Sequence, residues 1–408
     1  MNSMQSYQAI NWKEITELFA HDKKYTHLGA SQFIVSHPKH VHEAINKYRT
    51  QLDGDPVLYT EEVENKNMQN VREAAAGYFG VPDPNNIAVT DSTTMGLGLI
   101  YTALNLQKGQ EILTTEHDHY SQHEAIYHAT KRTGASFRKI PLYQNLSEVT
   151  KEEMVDSLVR NIHDNTRVVG VTWVHSSSGL KIPVPEIAAA IKKVNEGRDE
   201  QNKVLLLVDG VHGFGIERET FDELGCDFFI SGCHKWIYGP RGTGIVVATR
   251  SAWQTVSPVI PSFTEVMDKV IAGEERPKEM DGKQMTPGGF HSLEYRWALC
   301  EAFEWMMGLG KKEVYQRVHE LNRKCKEGLA TMSHVTLHTP MDDELSSGII
   351  SFEIKGLSTE EAVEELNKRK IIGTASPYKT SWVRFTPGII NMEEDIAKAL
   401  EVVNALKQ

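Results

Sequence analysis

Several features that mark other protein classes are missing from this chain of 408 residues. Only four cysteines occur, and no CxxC pair is among them, so their spacing does not support a disulfide framework. No apolar run reaches the length that a membrane helix requires, and the N-terminus lacks the basic and apolar regions of a signal peptide. These absences predict a soluble, cytoplasmic protein.

The chain is acidic, with 44 lysines and arginines against 55 aspartates and glutamates and a net charge of −11. No basic stripe interleaved with aromatic residues interrupts this balance. Because nucleic acids and anionic membranes attract basic surfaces, we expect neither as a partner. The length and the 40% hydrophobic content suffice for two domains, each with its own core.

The most informative feature is an acid and a lysine 26 positions apart (235 − 209), Asp209 and Lys235. The apolar run at 204–208 indicates a strand buried on both faces, with Asp209 at its carboxyl end, where open α/β sheets bind ligands. A second apolar run, at 228–230, leads to Lys235 in a glycine-rich loop. Pyridoxal phosphate needs an amine to hold its aldehyde as a Schiff base and a carboxylate to keep its ring nitrogen protonated. The pair resembles such a site.

The motif HKW followed by GPRGTG, together with VDGVHGFG, extends this likeness. The chain resembles fold type I pyridoxal phosphate enzymes of the class V aminotransferase superfamily, and within it the branch of isopenicillin N epimerase and C–S lyases, over nearly its whole length. The resemblance implies that Lys235 carries the cofactor, that Asp209 pairs with the ring nitrogen and that His212 lies near the ring hydroxyl. It also implies that His234 belongs to the cofactor site. Ser176 is expected there too, at a position where many desulfurases of the superfamily have an asparagine near the ring oxygen, so the chain departs from the family pattern at this residue.

The same resemblance implies an α/β fold like that of aspartate aminotransferase. Its large domain has a mostly parallel, seven-stranded sheet covered by helices, and a smaller α+β domain follows at the C-terminus. Strand and helix signals alternate from about residue 87 to 248, as this fold requires. We expect 1–27 to pack on the small domain, 28–285 to form the large cofactor-binding domain, and 286–408 to supply a linking helix and the small domain. The aperiodic stretch at 262–284 is expected to be a mobile crossing loop.

Two threonine-containing turns are candidates for binding phosphate. Thr93 and Thr94 stand between a short strand and an apolar helix, where free backbone N–H groups and hydroxyls can bind a phosphate dianion. A capped helix alone would show this pattern, but the matching turn of the family holds the cofactor phosphate. Thr286 precedes Pro-Gly-Gly, and the family resemblance implies that this loop reaches the neighbouring subunit's phosphate. We therefore expect a homodimer in which Thr286 acts in trans.

A cluster of histidines follows the predicted strand at 111–115. The superfamily places here an aromatic residue that stacks on the cofactor ring and can shuttle protons; His117 aligns best, with His119 or Tyr120 as alternatives. His119 and His123 would share a helix face and so could also bind a metal. No cysteine or second HxxxH pair completes a ligand set, so we expect no metal.

Arg384 lies in the middle of a predicted strand, where a buried guanidinium needs an anionic partner. A structural salt bridge would satisfy it. The family resemblance implies instead a bidentate grip on the α-carboxylate of an amino acid substrate. The stretch at 371–384 contains no cysteine, unlike the matching loop of the cysteine desulfurases of this superfamily, which argues against persulfide transfer.

Together these parts predict an enzyme that acts at the α-carbon of an amino acid. Lys235, freed when the substrate amine takes its place, would remove the α-proton as general base. The branch that the chain resembles implies a C–S lyase working by β-elimination, or an epimerase. An aminotransferase is the main alternative, and a non-catalytic module that binds pyridoxal phosphate is the third hypothesis. No motif identifies the substrate side chain.

Overall fold

A computed structural model describes residues 10–34 and 36–406. No helix in these ranges combines the length and the apolarity needed to cross a membrane. The strands are β1 (Thr26–His27), β2 (Ile87–Thr90), β3 (Glu111–Thr115), β4 (Ser136–Ile140), β5 (Thr166–Thr172), β6 (Leu205–Asp209), β7 (Phe228–Gly232), β8 (Gly244–Ala248), β9 (Val335–Leu337), β10 (Ile350–Ile354), β11 (Ile371–Ile372), β12 (Thr374–Ala375) and β13 (Val383–Phe385). The helices are α1 (Trp12–Glu17), α2 (Lys39–Gly54), α3 (Pro56–Phe79), α4 (Thr93–Ala103), α5 (Tyr120–Thr133), α6 (Lys151–Arg160), α7 (Val184–Asn195), α8 (Phe221–Leu224), α9 (Arg250–Trp253), α10 (Glu265–Ile271), α11 (Gly282–Met285), α12 (Leu293–Leu309), α13 (Lys311–Ala330), α14 (Thr359–Lys368) and α15 (Glu393–Asn404).

Within the described residues, seven strands form one sheet in the order β2-β8-β7-β6-β5-β3-β4. The pairs from β4 to β7 along this sheet are all parallel. β8 runs antiparallel to both of its neighbours, β2 and β7. It follows β7 through a loop, and only a longer crossover connection would have returned the chain parallel. The predicted mostly parallel α/β sheet is confirmed, with β8 as the exception to the alternation of strand and helix.

β6 shows how this sheet lies between two hydrophobic cores. Leu206 and Val208 belong to the core on one face, and Leu205 and Leu207 to the core on the other. Because side chains alternate between the faces of a strand, a strand covered on both sides must be apolar at every position. The uninterrupted run before Asp209 is explained by this burial.

The C-terminal unit has its own four-stranded antiparallel sheet, in the order β12-β13-β10-β9, and its own core. β1 pairs in parallel with β11, which attaches Thr26 and His27 to this unit. Phe19 instead packs edge-on against Tyr238 of the large unit, with ring centroids 5.3 Å apart. The segment predicted at 1–27 therefore contacts both units, and its first nine residues lie outside the described ranges.

The stretch at 262–284 is more regular than its lack of periodicity suggests, because α10 lies within it and α11 begins in it. The expectation of a loop without helices is wrong. α10 carries Glu265 and Asp268 in its first turn, where negative charge suits the helix dipole. Glu265 also lies 3.0 Å from the Nζ of Lys283, which joins α10 to α11. Short-range charge interactions of this kind leave no hydrophobic period to detect.

Candidate active site

A cavity of about 380 Å³ opens at the carboxyl ends of β5 and β6 and extends to the small unit. Loops and helix N-termini converge at this edge of a parallel sheet, which is where α/β proteins bind ligands. Most of the residues predicted for the site are in its wall, but His117 and Thr286 are not. The lining residues are Ser31, Gln32, Ser92, Thr93, Thr94, His119, Ser121, Thr172, Ser176, Asp209, Val211, His212, His234, Lys235, Ala375, Pro377 and Arg384.

Lys235 reaches the cavity from the loop after β7. Its Nζ lies 3.2 Å from the Nε2 of His212. Burial lowers the pKa of Lys235 to about 8; the positive charge of Arg384 adds to this effect, and the carboxylate of Asp209 opposes it. A lysine with such a pKa has an appreciable neutral fraction near neutral pH, so it can act as a nucleophile or a base.

Asp209 ends β6 and is 2% exposed. Its Oδ1 accepts a hydrogen bond from the backbone N–H of Val211 at 3.1 Å. Burial nevertheless raises the pKa of Asp209 to about 6. Burial makes the ionised form of Asp209 unfavourable, and a cation beside the carboxylate, such as a protonated ring nitrogen, would stabilise that form.

His212 is buried, and burial, followed by the charge of Lys235, holds its pKa well below its usual value. Its Nδ1 has no hydrogen-bond partner in the part of the chain that the structure describes. Buried polar atoms are normally hydrogen-bonded, so this nitrogen marks a position for a ligand group or a water. His234, on the other side of Lys235, has the same property at Nδ1.

Close packing explains the glycines around His212. A Cβ on Gly213 would lie 2.3 Å from the ring of Trp173, and one on Gly215 would lie 2.5 Å from the backbone of Trp236. Gly215 also has a φ of 102°, which favours glycine. The glycine-punctuated motif after β6 thus fits the loop against Trp236, the neighbour of Lys235.

Thr93 and Thr94 form the first turn of α4, an eleven-residue helix capped by the hydroxyl of Ser92. The Thr93 Oγ1 accepts a hydrogen bond of 2.7 Å from the backbone N–H of Gly232, at the end of β7. This bond fixes the N-terminus of α4 beside the loop that carries Lys235. N–H groups of a first helical turn have no partner within the helix, so they can bind a phosphate here.

Arg384 is the central residue of β13, as predicted, and its side chain is 4% exposed. It donates hydrogen bonds to Thr374 Oγ1 at 3.2 Å, to the carbonyl of Ser176 at 2.8 Å and to the carbonyl of Ala375 at 3.1 Å. These acceptors are neutral, and no carboxylate of the described residues forms an ion pair with it. A guanidinium has five N–H donors, which leaves two for a substrate carboxylate. Burial lowers its pKa to about 10, so it stays charged.

The structure places His117 outside the cavity wall and the alternative, His119, within it. The ring of His117 stacks on Tyr143, with centroids 4.3 Å apart and planes 9° from parallel. His119 caps α5, with its Nδ1 2.8 Å from Ser121 Oγ, and its ring remains in the wall. Tyr120, the second alternative, is 69% exposed. This arrangement favours His119 over His117 for stacking on a cofactor ring.

Asp118, which the sequence did not single out, lies between these two histidines in the chain and is 2% exposed. Its buried carboxylate accepts hydrogen bonds of 2.8 Å from Thr114 Oγ1, from the N–H of Thr115 and from the N–H of Thr172. It therefore ties the end of β3 to the end of β5 and points inward. In the sequence, this role of Asp118 is indicated only by its position between two histidines and four residues after Thr114.

The remaining histidines of the cluster have other contacts. His123 lies with its Nε2 2.8 Å from the carbonyl of Thr115, and the exposed ring of His128 lies 3.8 Å from Glu124. No group of three or more histidine, cysteine, aspartate or glutamate side chains in the described ranges is arranged to hold a metal ion.

Thr286 lies away from the cavity and is 7% exposed. Its Oγ1 accepts a hydrogen bond from the N–H of Val89 at 3.1 Å and donates one to the carbonyl of Gly282 at 3.2 Å. The hydroxyl therefore joins α11 to β2 within its own chain. Phe290, four residues on, is 93% exposed.

Comparisons with known proteins agree with the fold. A model of the aminotransferase class-V family matches residues 35–380. A probable cysteine desulfurase of Halalkalibacterium halodurans is 24% identical over 82% of this chain and 81% of its own length. Isopenicillin N epimerase of Streptomyces clavuligerus is 23% identical over 90% of this chain and 92% of its own length. A solved cystine C–S lyase, in complex with its product cysteine persulfide, superposes with a TM-score of 0.83 at 21% identity, over 94% of this chain and 98% of that one. The resemblance seen in the sequence is confirmed, and the chain belongs to the aminotransferase class-V family.

Proposed function

We propose that this protein is a pyridoxal 5'-phosphate-dependent enzyme that acts at the α-carbon of an amino acid and breaks a C–S bond by β-elimination. The observation that carries the proposal is the presence in one cavity wall of a lysine with a lowered pKa, a buried aspartate and an arginine with free donors. These are the amine, the counter-ion and the carboxylate receptor that such chemistry requires.

The residues of the wall suggest how the cofactor is held. Lys235 would hold its aldehyde as a Schiff base, and Asp209 would pair with its ring nitrogen. The N-terminus of α4, with Thr93 and Thr94, would bind its phosphate, together with His234. His119 would stack on its ring, and His212 and Ser176 would lie near its ring oxygen. When bound, the cofactor supplies an electron sink for the electrons left at the α-carbon.

The substrate contacts follow from the same geometry. The two free N–H groups of Arg384 bind the α-carboxylate and fix the orientation of the α-carbon. The Nζ of Lys235 would take the α-proton as general base. His212 stays neutral because of its burial and can accept a hydrogen bond from the ammonium that forms.

Elimination fits the described residues better than persulfide transfer to the enzyme. Cys226, Cys233 and Cys325 are buried in the cores, and Cys300 lies on α12. No cysteine of the described ranges lines the cavity. Elimination needs only a base and a leaving group, and a thiolate leaves readily. The solved relative that acts on cystine is itself a C–S lyase.

Epimerisation is the second candidate, because isopenicillin N epimerase matches 90% of the chain. A transaminase is the third. The reactions differ in their products. A C–S lyase releases a thiol or persulfide, ammonia and an α-keto acid from the same substrate, with water consumed. An epimerase inverts the α-carbon and, in deuterated water, incorporates deuterium there without changing the composition otherwise, and a transaminase releases a keto acid and leaves the amino group on the cofactor.

The exposed apolar residues near Thr286 support a homodimer. Phe263 is 63% exposed, Ile271 77% and Phe290 93%. Phe263 and Phe290 line one cleft together with Thr286, and exposed apolar residues grouped in this way mark protein interfaces. We propose that the loop beginning at Thr286 reaches the neighbouring subunit's site. The Thr286 hydroxyl, satisfied within its own chain, would then shape the loop that makes the contact.

A single experiment tests the central proposal. The purified protein is saturated with pyridoxal phosphate and screened with cystine, cysteine and other amino acids. We expect a change in the visible absorbance and release of a keto acid and a sulfur product from sulfur amino acids. Deuterium exchange without release would support the epimerase. Cofactor binding without any turnover would support the non-catalytic module instead.

A further inference from the structure

Ser176 is held from two sides by residues of the small unit. Its hydroxyl oxygen lies 2.6 Å from the phenolic oxygen of Tyr378, and its carbonyl accepts the 2.8 Å hydrogen bond from Arg384. Ser176 lines the cavity, whereas Tyr378 is outside the lining. The hydrogen bond to Ser176 is therefore a direct route by which Tyr378 can act on a bound group.

The chemistry of the two hydroxyls decides which of them donates. A phenol is a stronger acid than an alcohol, so Tyr378 is the better donor and Ser176 the better acceptor. Burial raises the pKa of Tyr378 to about 12, so the phenol keeps its proton at neutral pH. Once Ser176 accepts this bond, its own hydrogen is free to point elsewhere. Because Ser176 is in the cavity wall, a group bound in the cavity can accept that hydrogen.

The segment that presents Tyr378 is fixed by its own hydrogen bonds. Its backbone N–H bonds to the carbonyl of Ser376 at 2.9 Å, and Ser381 Oγ donates to the same carbonyl at 2.8 Å. The N–H of Trp382 bonds to Ser376 Oγ at 2.9 Å. The phenol ring also meets His119 edge-on, with centroids 6.2 Å apart. These contacts therefore hold the Tyr378 hydroxyl in one position.

We propose that Tyr378 is a positioning residue that directs the hydroxyl hydrogen of Ser176 at the ring oxygen of the cofactor. This inference rests on the proposed function and deepens it. The cofactor environment is then complete only when the segment at 376–381 of the small unit lies against the large unit. The ring oxygen receives its hydrogen bond from a serine that a residue of the other unit orients.

The test is a pH titration of the visible absorbance of the cofactor-loaded enzyme. A hydrogen bond donated to the ring oxygen favours its anionic form, so losing the bond makes that oxygen more basic. In Tyr378→Phe we expect the midpoint to move upward by roughly 0.5–1 pH unit, the size of one modest hydrogen bond. Ser176→Ala should move it in the same direction by at least as much.

The double variant distinguishes positioning from independent effects. If Tyr378 acts through Ser176, adding Tyr378→Phe to Ser176→Ala produces no further shift of the midpoint. Additive shifts, or an unchanged midpoint in Tyr378→Phe, would overturn the inference. Tyr143→Phe is the matched control, because it removes a phenol outside the cavity that stacks on His117, and its midpoint should equal that of the wild type.

Two further readings separate the possible failures. A Tyr378→Phe protein with an unchanged midpoint but a weaker affinity for the substrate would show that the phenol only holds the segment in place, which contradicts the inference. A wild-type protein without a visible absorbance band after loading would refute the proposed function itself. Circular dichroism and the unfolding temperature of each variant confirm that the fold is intact in the samples compared.

Discussion

The Nζ of Lys235 lies 3.2 Å from the Nε2 of His212, and burial keeps the pKa of each below its usual value. His212 is therefore an uncharged neighbour that can accept a hydrogen bond from the lysine ammonium without repelling it. With its pKa near 8, Lys235 gains and loses its proton close to neutral pH. The pair combines a reactive amine with a fixed acceptor.

This pair predicts how the cofactor attaches. Only the neutral amine attacks an aldehyde, so the rate at which pyridoxal phosphate binds covalently to the apoprotein should rise with pH and level off above about 8. Stopped-flow absorbance measures that rate. Lys235→Arg should show no covalent attachment at any pH, by mass spectrometry after borohydride reduction. Lys192→Arg, an exposed change on α7, should match the wild type. Attachment at another lysine would contradict the assignment.

Asp209 predicts opposite effects on the stability of the apoprotein and of the loaded enzyme. Burial raises the pKa of Asp209 to about 6 in the folded apoprotein. The stability of the apoprotein therefore falls as the pH rises from the ordinary pKa of an aspartate to about 6, and the full cost of ionising Asp209 is present above that pH. In urea unfolding, apo Asp209→Asn should equal the wild type at low pH and exceed it by roughly 2–3 kcal/mol at pH 8. Cofactor should reverse the order, because its ring nitrogen needs the carboxylate. An Asn variant that is less stable at every pH would argue against the burial argument.

Arg384 predicts a defect in substrate binding. Lysine at this position keeps the charge but loses the planar fork, so Arg384→Lys should raise KM for the amino acid by roughly tenfold or more while the cofactor absorbance stays normal. Steady-state kinetics with each candidate substrate measures it. Arg369→Lys, a partly exposed change paired with Glu365, is the control and should leave KM unchanged. An unchanged KM in Arg384→Lys would leave Arg384 with a structural role only.

Asp209 and Arg384, two predicted site residues that line the cavity, each have a local signal in the sequence. Asp209 follows five apolar positions, and burial on both faces makes such a strand recognisable. Arg384 is a charged residue within an apolar strand, so the sequence marks it as a group that needs an anionic partner. His117 and His119 are two residues apart after the same strand, and the sequence could not rank them by contact. Asp118, which lies between them, is bonded to the N–H of Thr172 in β5, 54 residues away in the chain, and a contact of this range leaves no local signal.

The antiparallel β8 and the helix in 262–284 could not be predicted for a related reason. The direction of β8 depends on the connection after β7, which carries the Lys235 loop and lacks a crossover helix. None of the residues of α10 is buried, so its sequence has no helical period of apolar residues from which the helix could be predicted. Such elements are set by tertiary position and local charge, which a pattern of apolar residues does not record.

A buried ionic cluster joins the two units and predicts the largest loss of stability. Glu217, at the end of the loop that begins with Asp209, lies 2.9 Å from both Lys181 Nζ and His319 Nε2 and accepts a 2.6 Å bond from Ser347 Oγ. Lys181 belongs to the large unit, and His319 and Ser347 belong to the segments after α12. Burial alone would raise the pKa of Glu217, but the hydrogen bond from His319 and the charge of Lys181 lower it below its usual value.

Removing the charge at Glu217 leaves Lys181 buried without its counter-ion, so Glu217→Gln should reduce the free energy of unfolding by roughly 3–5 kcal/mol at pH 7. Since the pKa of Glu217 is depressed in the fold, this contribution is present above its ordinary pKa and is lost as the pH falls through the folded value. The difference between variant and wild type should therefore shrink in urea titrations at acidic pH. Glu364→Gln, which breaks an exposed pair with Lys368, should change stability by less than about 0.5 kcal/mol. A loss at Glu217 no larger than this control, or one that does not shrink on acidification, would show that the cluster does not hold the units together.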